Sequence, residues 1–361
     1  MIRFLHAADL HLDSPFASLS PAQAAVRRQE QRELLDALTD AANAYGCSLV
    51  LLAGDLFDAD DAYPETVEAL ARALAAMQAE VFIAPGNHDY LARGSAYLTR
   101  AWPENVHIFK TSEISCVRLP QLGCTVWGAG FTQAHCAPLL SGFCAPEDGM
   151  LGLMVLHGDA TGAGEDYNPV TRQQIERSNL DYLALGHMHQ ASGLLHAGKT
   201  AYAWPGCAMG RGFDELGEKG AYLGTLDGAG CRLEFLPLSR RKYEVLRVAA
   251  GDDALAGVEK ALPEHTQDDI YRIVLTGEAA PVDVRALYAA LKSRFFGLTL
   301  RDETTPRREL WAGCEDDTLR GLFLRALKKK FDASTSEDER QTIALAARYG
   351  TYALEERTVE P

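Results

Sequence analysis

Residues 81–90 read VFIAPGNHDY. An apolar run closes on Pro85 and Gly86, and Asn87, His88 and Asp89 follow at once. A turn uses glycine or asparagine for its backbone. It has no need of an imidazole. One histidine beside a turn is more often a satisfied polar group than a ligand, so the stretch carries weight only if the same device recurs.

It recurs along the first half of the chain. IRFLHAA (2–8), SLVLLA (48–53), EVFIA (80–84), LGLMVL (151–156) and DYLALG (181–186) read as strands. They are nearly continuous in apolar residues, which predicts burial on both faces. They are followed by DLH, GD, GNHD, HGD and GHMH in that order. Ligands bind at the carboxyl edge of the strands in layered α/β folds, and here each strand delivers Asp, Asn or His to that edge.

The intervening segments are helical. Ser20 and Pro21 make an N-cap and first-turn pair, and Leu34, Leu35, Leu38, Ala41, Ala42 and Tyr45 form one face. A second helix runs from about Pro64 to Met77, and 106–130 and 201–237 are rich in strands. The expectation is a layered α/β domain over residues 1–240, with more sheet than a simple open sheet holds. Alternating strands and helices then make a small capping domain over 241–310. Residues 311–361 form a helical tail in which Leu319, Leu322, Phe323, Ala326 and Leu327 share a face.

The candidate ligands are Asp9, His11, Asp55, Asn87, His157, His187 and His189. Asp9 and His11 are two apart, so an extended chain points both one way and Leu10 back to the core; His187 and His189 repeat the device. Glycines before Asp55, Asn87 and His187 allow tight turns. Carboxylate, carboxamide and imidazole without thiolate suit Mn²⁺, Fe²⁺ or Zn²⁺ better than Ca²⁺. The set is too large for one tetrahedral ion and suits two ions ~3.5–4 Å apart, sharing a carboxylate and activating a water. Asp55, after a central strand, is the natural bridge. Histidines 6, 107, 135, 196 and 265 lack this context and read as ordinary polar residues.

The chain carries 35 Lys and Arg against 50 Asp and Glu, a formal charge of −15. That balance excludes nucleic-acid binding by bulk electrostatics and leaves it to bound cations or a local patch. Cysteines 47, 116, 124, 136, 144, 207, 231 and 314 form no CxxC pair and read as reduced thiols. Neither a signal peptide nor a membrane span is visible. The expected location is the cytoplasm.

DLHLDSPF, AGDLFD, PGNHD, LHGD and LGHMH together resemble the calcineurin-like metallophosphoesterase superfamily, in the right order over about the first 190 residues. The resemblance implies a β-sandwich flanked by helices. It implies one ion held by Asp9, His11, Asp55 and His189, and another by Asp55, Asn87, His157 and His187. Manganese is the first expectation, with iron or zinc as substitutes. Within the superfamily the chain is most similar to the SbcD-type DNA repair exonucleases, and to a YhaO-like bacterial branch of them. HAADLHLDSPF, PGCAMGRGFDELGEKG (205–220), the cap and the tail carry that likeness. The implied activity is metal-dependent phosphodiester hydrolysis on DNA. The implied partners are DNA, a coiled-coil ATPase of the SbcC type docked on the tail, and a second copy of the chain. His88 is implied to contact the scissile phosphate. Some family members carry histidine where Asp58 stands, so Asp58 is expected to orient other groups, and Asp89 to fix its turn. A phosphoesterase for a cyclic nucleotide or another small phosphoester would share the same motifs.

Overall fold

The computed structural model describes residues 1–59, 62–161, 166–306 and 311–355. They divide into two compact units, Met1–Lys242 and Tyr243–Pro361. None of the described helices is long and apolar enough to cross a membrane.

In the first unit the strands are β1 (Ile2–Ala7), β2 (Leu49–Leu52), β3 (Glu80–Ile83), β4 (Val106–Ile108), β5 (Ser115–Leu119), β6 (Cys124–Gly128), β7 (Leu151–His157), β8 (Tyr182–Gly186), β9 (Leu195–Ala197), β10 (Thr200–Ala203), β11 (Gly220–Asp227) and β12 (Gly230–Pro237). They form two sheets, ordered β12-β11-β1-β2-β3-β4 and β5-β6-β7-β8-β10-β9. β1 to β4 are parallel, as are β6, β7 and β8. The site-bearing strands therefore release their chains at one edge of each sheet.

Alternation explains the unbroken apolar runs. Leu5, Val50, Leu52, Val81 and Ile83 face the helices α1 (Pro21–Ala44) and α2 (Pro64–Ala75). Their neighbours Phe4, Leu49, Leu51 and Phe82 face inward and meet Val126, Leu153, Val155 and Tyr182 of the second sheet. The short α3 (Ala96–Thr99) follows β3. The second sheet's other face buries Trp127, Met154, Leu156, Leu183 and Leu185 against Ile175 of α4 (Arg172–Arg177). Central strands such as β2 and β8 are buried on both faces, as near-continuous hydrophobic strands require, while the edge strands β5 and β12 carry exposed residues.

α1 opens with Ser20 and Pro21 in a capping box closed by Gln23. Its buried face departs from the expected one. Tyr45 caps the helix and is exposed, whereas Arg27, Glu30 and Gln31 are buried. Arg27 donates to Glu30 at 2.5 Å and to the Gly210 carbonyl at 2.8 Å, and Arg241 donates to Glu30 at 2.6 Å. The helix thus grips a distant loop with charge as well as with leucines.

The second unit builds a parallel sheet β13-β14-β16 from β13 (Tyr243–Ala249), β14 (Ile270–Thr276) and β16 (Gly297–Asp302). The helices α5 (Ala254–Ala261) and α6 (Val284–Leu291) cross between them, and β15 (Glu278–Ala279) pairs β17 (Thr305–Pro306). Two more helices follow, α7 (Leu319–Ala333) and α8 (Glu337–Glu355). The sequence reading parts cap from tail at residue 310, beside residues 307–310, which lie outside the described residues, as do 356–361. The described contacts join the two segments: buried Arg348 of α8 pairs with Asp302 and donates to Thr304 Oγ1 at 2.6 Å. The buried face of α7 also differs from the expected one. Leu324 is fully buried with Ala347, and Phe323 and Leu327 flank it, while Leu319 and Leu322 are 71% and 52% exposed. The seam follows Leu324 because Gly350 lets α8 approach the Phe323 ring; a Cβ there would lie 2.1 Å from it.

His6, read as an ordinary residue, pins the two sheets together. Its Nε2 lies 3.0 Å from the Leu185 carbonyl and its Nδ1 2.9 Å from the Tyr182 hydroxyl. A carbonyl only accepts, so Nε2 carries the proton and Nδ1 accepts from Tyr182. Burial drives the ring's pKa from 6.5 down to about 3, against the Leu185 hydrogen bond, which raises it. The unfolded chain therefore binds a proton that the folded chain refuses, and stability falls as pH drops from 6.5 toward 3. His6→Gln should remove about 2 kcal/mol of the stability lost between neutral pH and pH ~5, read by chemical denaturation at both pH values.

Candidate metal centre

β1 stops at Ala7, and Asp9 and His11 adopt left-handed backbone, with φ of 53° and 43°. The expected extended geometry is therefore wrong. The two side chains reach one site because the chain is tied, residue by residue, to the loop after β2. Asp9 N–H donates to the Gly54 carbonyl at 3.0 Å, His11 N–H to Asp55 at 3.0 Å, and Leu12 N–H to Leu56 at 2.9 Å. Ser14 Oγ and Gln31 of α1 each donate to the His11 carbonyl at 2.8 Å. Leu10 faces the core as expected.

The glycines divide by reason. Gly54 has φ of 85° and supplies the turn before Asp55. Gly86 has no left-handed backbone; its constraint is space, since a Cβ would sit 2.2 Å from Asp55 Oδ1. Asp89 reaches beyond its own turn. Its carboxylate accepts from Gly86 N–H and Leu56 N–H at 2.7 Å each and from the Tyr97 hydroxyl at 2.6 Å, which pins the loop after β3 to the loop after β2.

The seven predicted ligands converge. Asp9, His11 and His189 offer atoms within 4.8 Å of one another, and so do Asp55, His157 and His187. Asn87 Oδ1 joins the second group, 2.9 Å from His157 Nε2 and 3.1 Å from His187 Nδ1. Asp55 Oδ2 stands between the groups, 3.3 Å from His157 Nε2 and 3.8 Å from His11 Nε2. His187 N–H donates to both oxygens of Asp9, at 3.0 and 3.1 Å.

The lone pairs say what would fit between these atoms. His157 Nδ1 donates to the Ala53 carbonyl at 2.8 Å, so its Nε2 is aimed at the oxygens of Asn87 and Asp55. His11 Nδ1 lies on Asp58 at 3.1 Å and His189 Nδ1 on Glu215 at 2.8 Å, which turns their Nε2 atoms toward each other, 3.3 Å apart. Acceptors facing acceptors repel unless a proton or a cation sits among them. Imidazole nitrogens ~2.0–2.1 Å from a shared ion stand roughly 3 to 3.4 Å apart. The residues present fit divalent ions in both groups.

Electrostatics point the same way. Burial lowers His11 and His187 to about 4 each, the neutral form that ligates. Burial also works to lower His157, but the Asp55 charge and hydrogen bond prevail and raise it to about 9. Asp55 is in turn held below the usual carboxylate range, chiefly by His157, against its burial. Burial raises Asp9. Without an ion, then, protons take the cation's place.

His88 is exposed at the rim. Its N–H donates to Asp55 Oδ1 at 2.9 Å, its Nδ1 lies 3.0 Å from the Asp58 carbonyl, and its ring stands edge-on to His11 with centroids 4.8 Å apart. Asp58 lies behind His11 and also accepts from Arg211 at 2.8 Å. Sequence reasoning passed over Tyr97, Asn168, Arg211, Glu215 and Lys219. Asn168 donates to the His157 carbonyl at 2.8 Å, and Lys219 to the His189 carbonyl at 2.9 Å. Burial would raise Glu215, but hydrogen bonds from His189 and Arg211 hold it well below its usual value. Arg211, Glu215 and Lys219 lie within the 205–220 motif, where only likeness, and no strand end, drew notice.

With His157 at about 9, the ion-free protein is protonated there at neutral pH, and a ligand must give that proton up. Adding Mn²⁺ at pH ~7.5 should release protons, read by calorimetry as a binding enthalpy that varies with the ionisation enthalpy of the buffer. An enthalpy independent of buffer would contradict the assignment.

The calcineurin-like phosphoesterase family profile matches residues 2–191. A relative in Bacillus subtilis (strain 168), described as an uncharacterized metallophosphoesterase, YhaO, is 32% identical over 298 residues, covering 79% of this chain and 71% of its own. The crystal structure of TT1561 of Thermus thermophilus superimposes with a TM-score of 0.40 at 13% identity, over 65% of this chain and 98% of that one. With its paired sheets, its helices and its clustered His and Asp side chains, this chain belongs to the calcineurin-like phosphoesterase family.

Proposed function

We propose that the chain is a two-metal phosphodiesterase acting on DNA, an SbcD-like nuclease of DNA repair. The observation that carries the two-ion reading is the position of Asp55 Oδ2 between the His157 and His11 nitrogens. Asp9, His11 and His189 would hold one ion, Asn87, His157 and His187 the other, and Asp55 both. Bound there, divalent ions supply positive charge for the phosphoryl oxygens and an activated water for in-line attack.

The chain's own residues supply the remainder. His88 presents Nε2 outward, because the Asp58 carbonyl takes the Nδ1 proton. From Nε2 it would stabilise the charge on a phosphate oxygen or protonate the leaving oxygen. Its backbone N–H on Asp55 Oδ1 fixes the ring beside the site and leaves Oδ2 free to serve the ions. DNA as substrate is supported by the likeness of HAADLHLDSPF and of the 205–220 motif, and by a second unit larger than a small substrate needs. Manganese is the favoured metal and the cytoplasm the favoured location. A chain with charge −15 gains from a partner that brings DNA to it, and a coiled-coil ATPase of the SbcC type is the partner proposed. The exposed Leu319 and Leu322 of α7 are the surface offered to it. A homodimer is compatible with the same reading.

The deciding experiment incubates the protein with Mn²⁺ and linear duplex DNA, single-stranded DNA, a chromogenic phosphodiester or a cyclic nucleotide. Cleavage of DNA is expected. Turnover of the cyclic nucleotide with intact DNA would favour a small-phosphoester enzyme instead. His88→Gln should keep its metal content and lose ~10²–10⁴ in phosphodiester turnover. Asp55→Ala should lose both activity and bound metal while its ion-free fold persists, measured by elemental analysis and circular dichroism.

A further inference from the structure

Residues 209–219 lie outside the strands and offer none of the seven candidate ligands, yet three of their charged side chains converge behind the site. Glu215 and Lys219 are almost wholly buried. Glu215 Oε1 lies 2.8 Å from His189 Nδ1. Arg211 closes on the same carboxylate with its backbone N–H at 2.6 Å, Nε at 3.2 Å and Nη2 at 2.8 Å. Its other arm, Nη1, donates at 2.8 Å to Asp58 Oδ1, the atom that also takes His11 Nδ1 at 3.1 Å. One guanidinium therefore holds two carboxylates, and each carboxylate holds the outer nitrogen of one imidazole. The inner nitrogens of those imidazoles face each other at 3.3 Å.

The chain of contacts is anchored at its far end. Arg27, buried on α1, donates to the Gly210 carbonyl at 2.8 Å, next to Arg211. A planar fork of donors can serve two carboxylates at once in fixed geometry, which a lysine ammonium cannot. Carboxylates that take the outer proton of a ligating histidine set its tautomer and ring orientation.

We propose that Arg211 is a positioning residue for the ion held by Asp9, His11 and His189, locking the two imidazoles into one ligand pair through Asp58 and Glu215. The proposal rests on reading that cluster as a cation site. It places one contact from the 205–220 loop in control of one ion and not the other, because the groups that hold Asn87, His157 and His187 among the described residues do not include a partner of Arg211.

The test titrates the full, ion-free chain with Mn²⁺ by calorimetry. Wild type should show two binding steps. Arg211→Met should weaken one step by ~10–100-fold and leave the other unchanged, and Arg211→Lys, which keeps the charge, should not restore it. Residues that merely stabilise the fold would not separate the steps. Should Arg211→Met fail to fold, Glu215→Gln, which keeps the side chain's size, is expected to weaken the same single step. A wild-type chain that binds no Mn²⁺ overturns the cation-site reading and this proposal with it. Two steps in wild type that are unchanged, or equally weakened, in the variants overturn the role of Arg211 alone.

Discussion

The hydrogen bond from His157 Nδ1 to the Ala53 carbonyl is the contact on which the first unit's site depends. It joins the end of a second-sheet strand to the end of a first-sheet strand, and it aims His157 Nε2 at Asn87 and Asp55. It forms only because the two sheets approach closely there. A Cβ on Gly186 would lie 2.0 Å from the same Ala53 carbonyl, and one on Gly54 would lie 2.5 Å from His157 Nδ1. A methyl group at either place would push the sheets apart and move the two halves of the site out of register. His6 repeats the cross-link one layer deeper, with Tyr182 and Leu185.

Burying so many polar groups at one edge costs stability unless each is satisfied. The first unit meets that demand with backbone donors and carboxylate partners. Asp89 accepts from the loop after β2 and from Tyr97, Asp9 accepts from His187 N–H, and Asn168 holds the His157 carbonyl. The inner ring is rich in acceptors, and without an ion a proton on His157 stands between that ring and the oxygens of Asp55 and Asn87, in the place a cation would take. A site so built favours a cation by turning the protein's own acceptors toward one another. Its left-handed residues Asp9, His11, Asp55 and His187 belong to the same arrangement, since such backbone persists for residues with a Cβ only where the surroundings over-determine it.

The second unit follows other rules. Its parallel sheet and crossover helices bury Ile273, Leu275, Val258 and Leu291 in a core of their own. The pairing of α7 with α8 is set by a glycine, Gly350, against the Phe323 ring, and Arg348 ties α8 to the end of β16. The apolar face read from the sequence of α7 includes Leu319 and Leu322 and leaves out Leu324. The contact with α8 selects Leu324 and leaves the other two in water.

The five strands that carry the site, the capped start of α1 and the seven polar residues at the strand ends were legible in the sequence, because each is written locally. Alternation, capping and the end of an apolar run are properties of a few adjacent residues. What lay beyond reading was whatever depends on two distant segments meeting. Extended geometry at Asp9 and His11 gave way to left-handed turns because the loop after β2 supplies the hydrogen-bond partners. Gly86 proved to be a matter of space against Asp55, and Asp89 a clamp on a neighbouring loop. Arg211 and Glu215 carry no local sign of their work. Their meaning comes from His11 and His189, which stand 200 and 26 positions before them respectively in the chain, and only packing brings such residues within reach of one another.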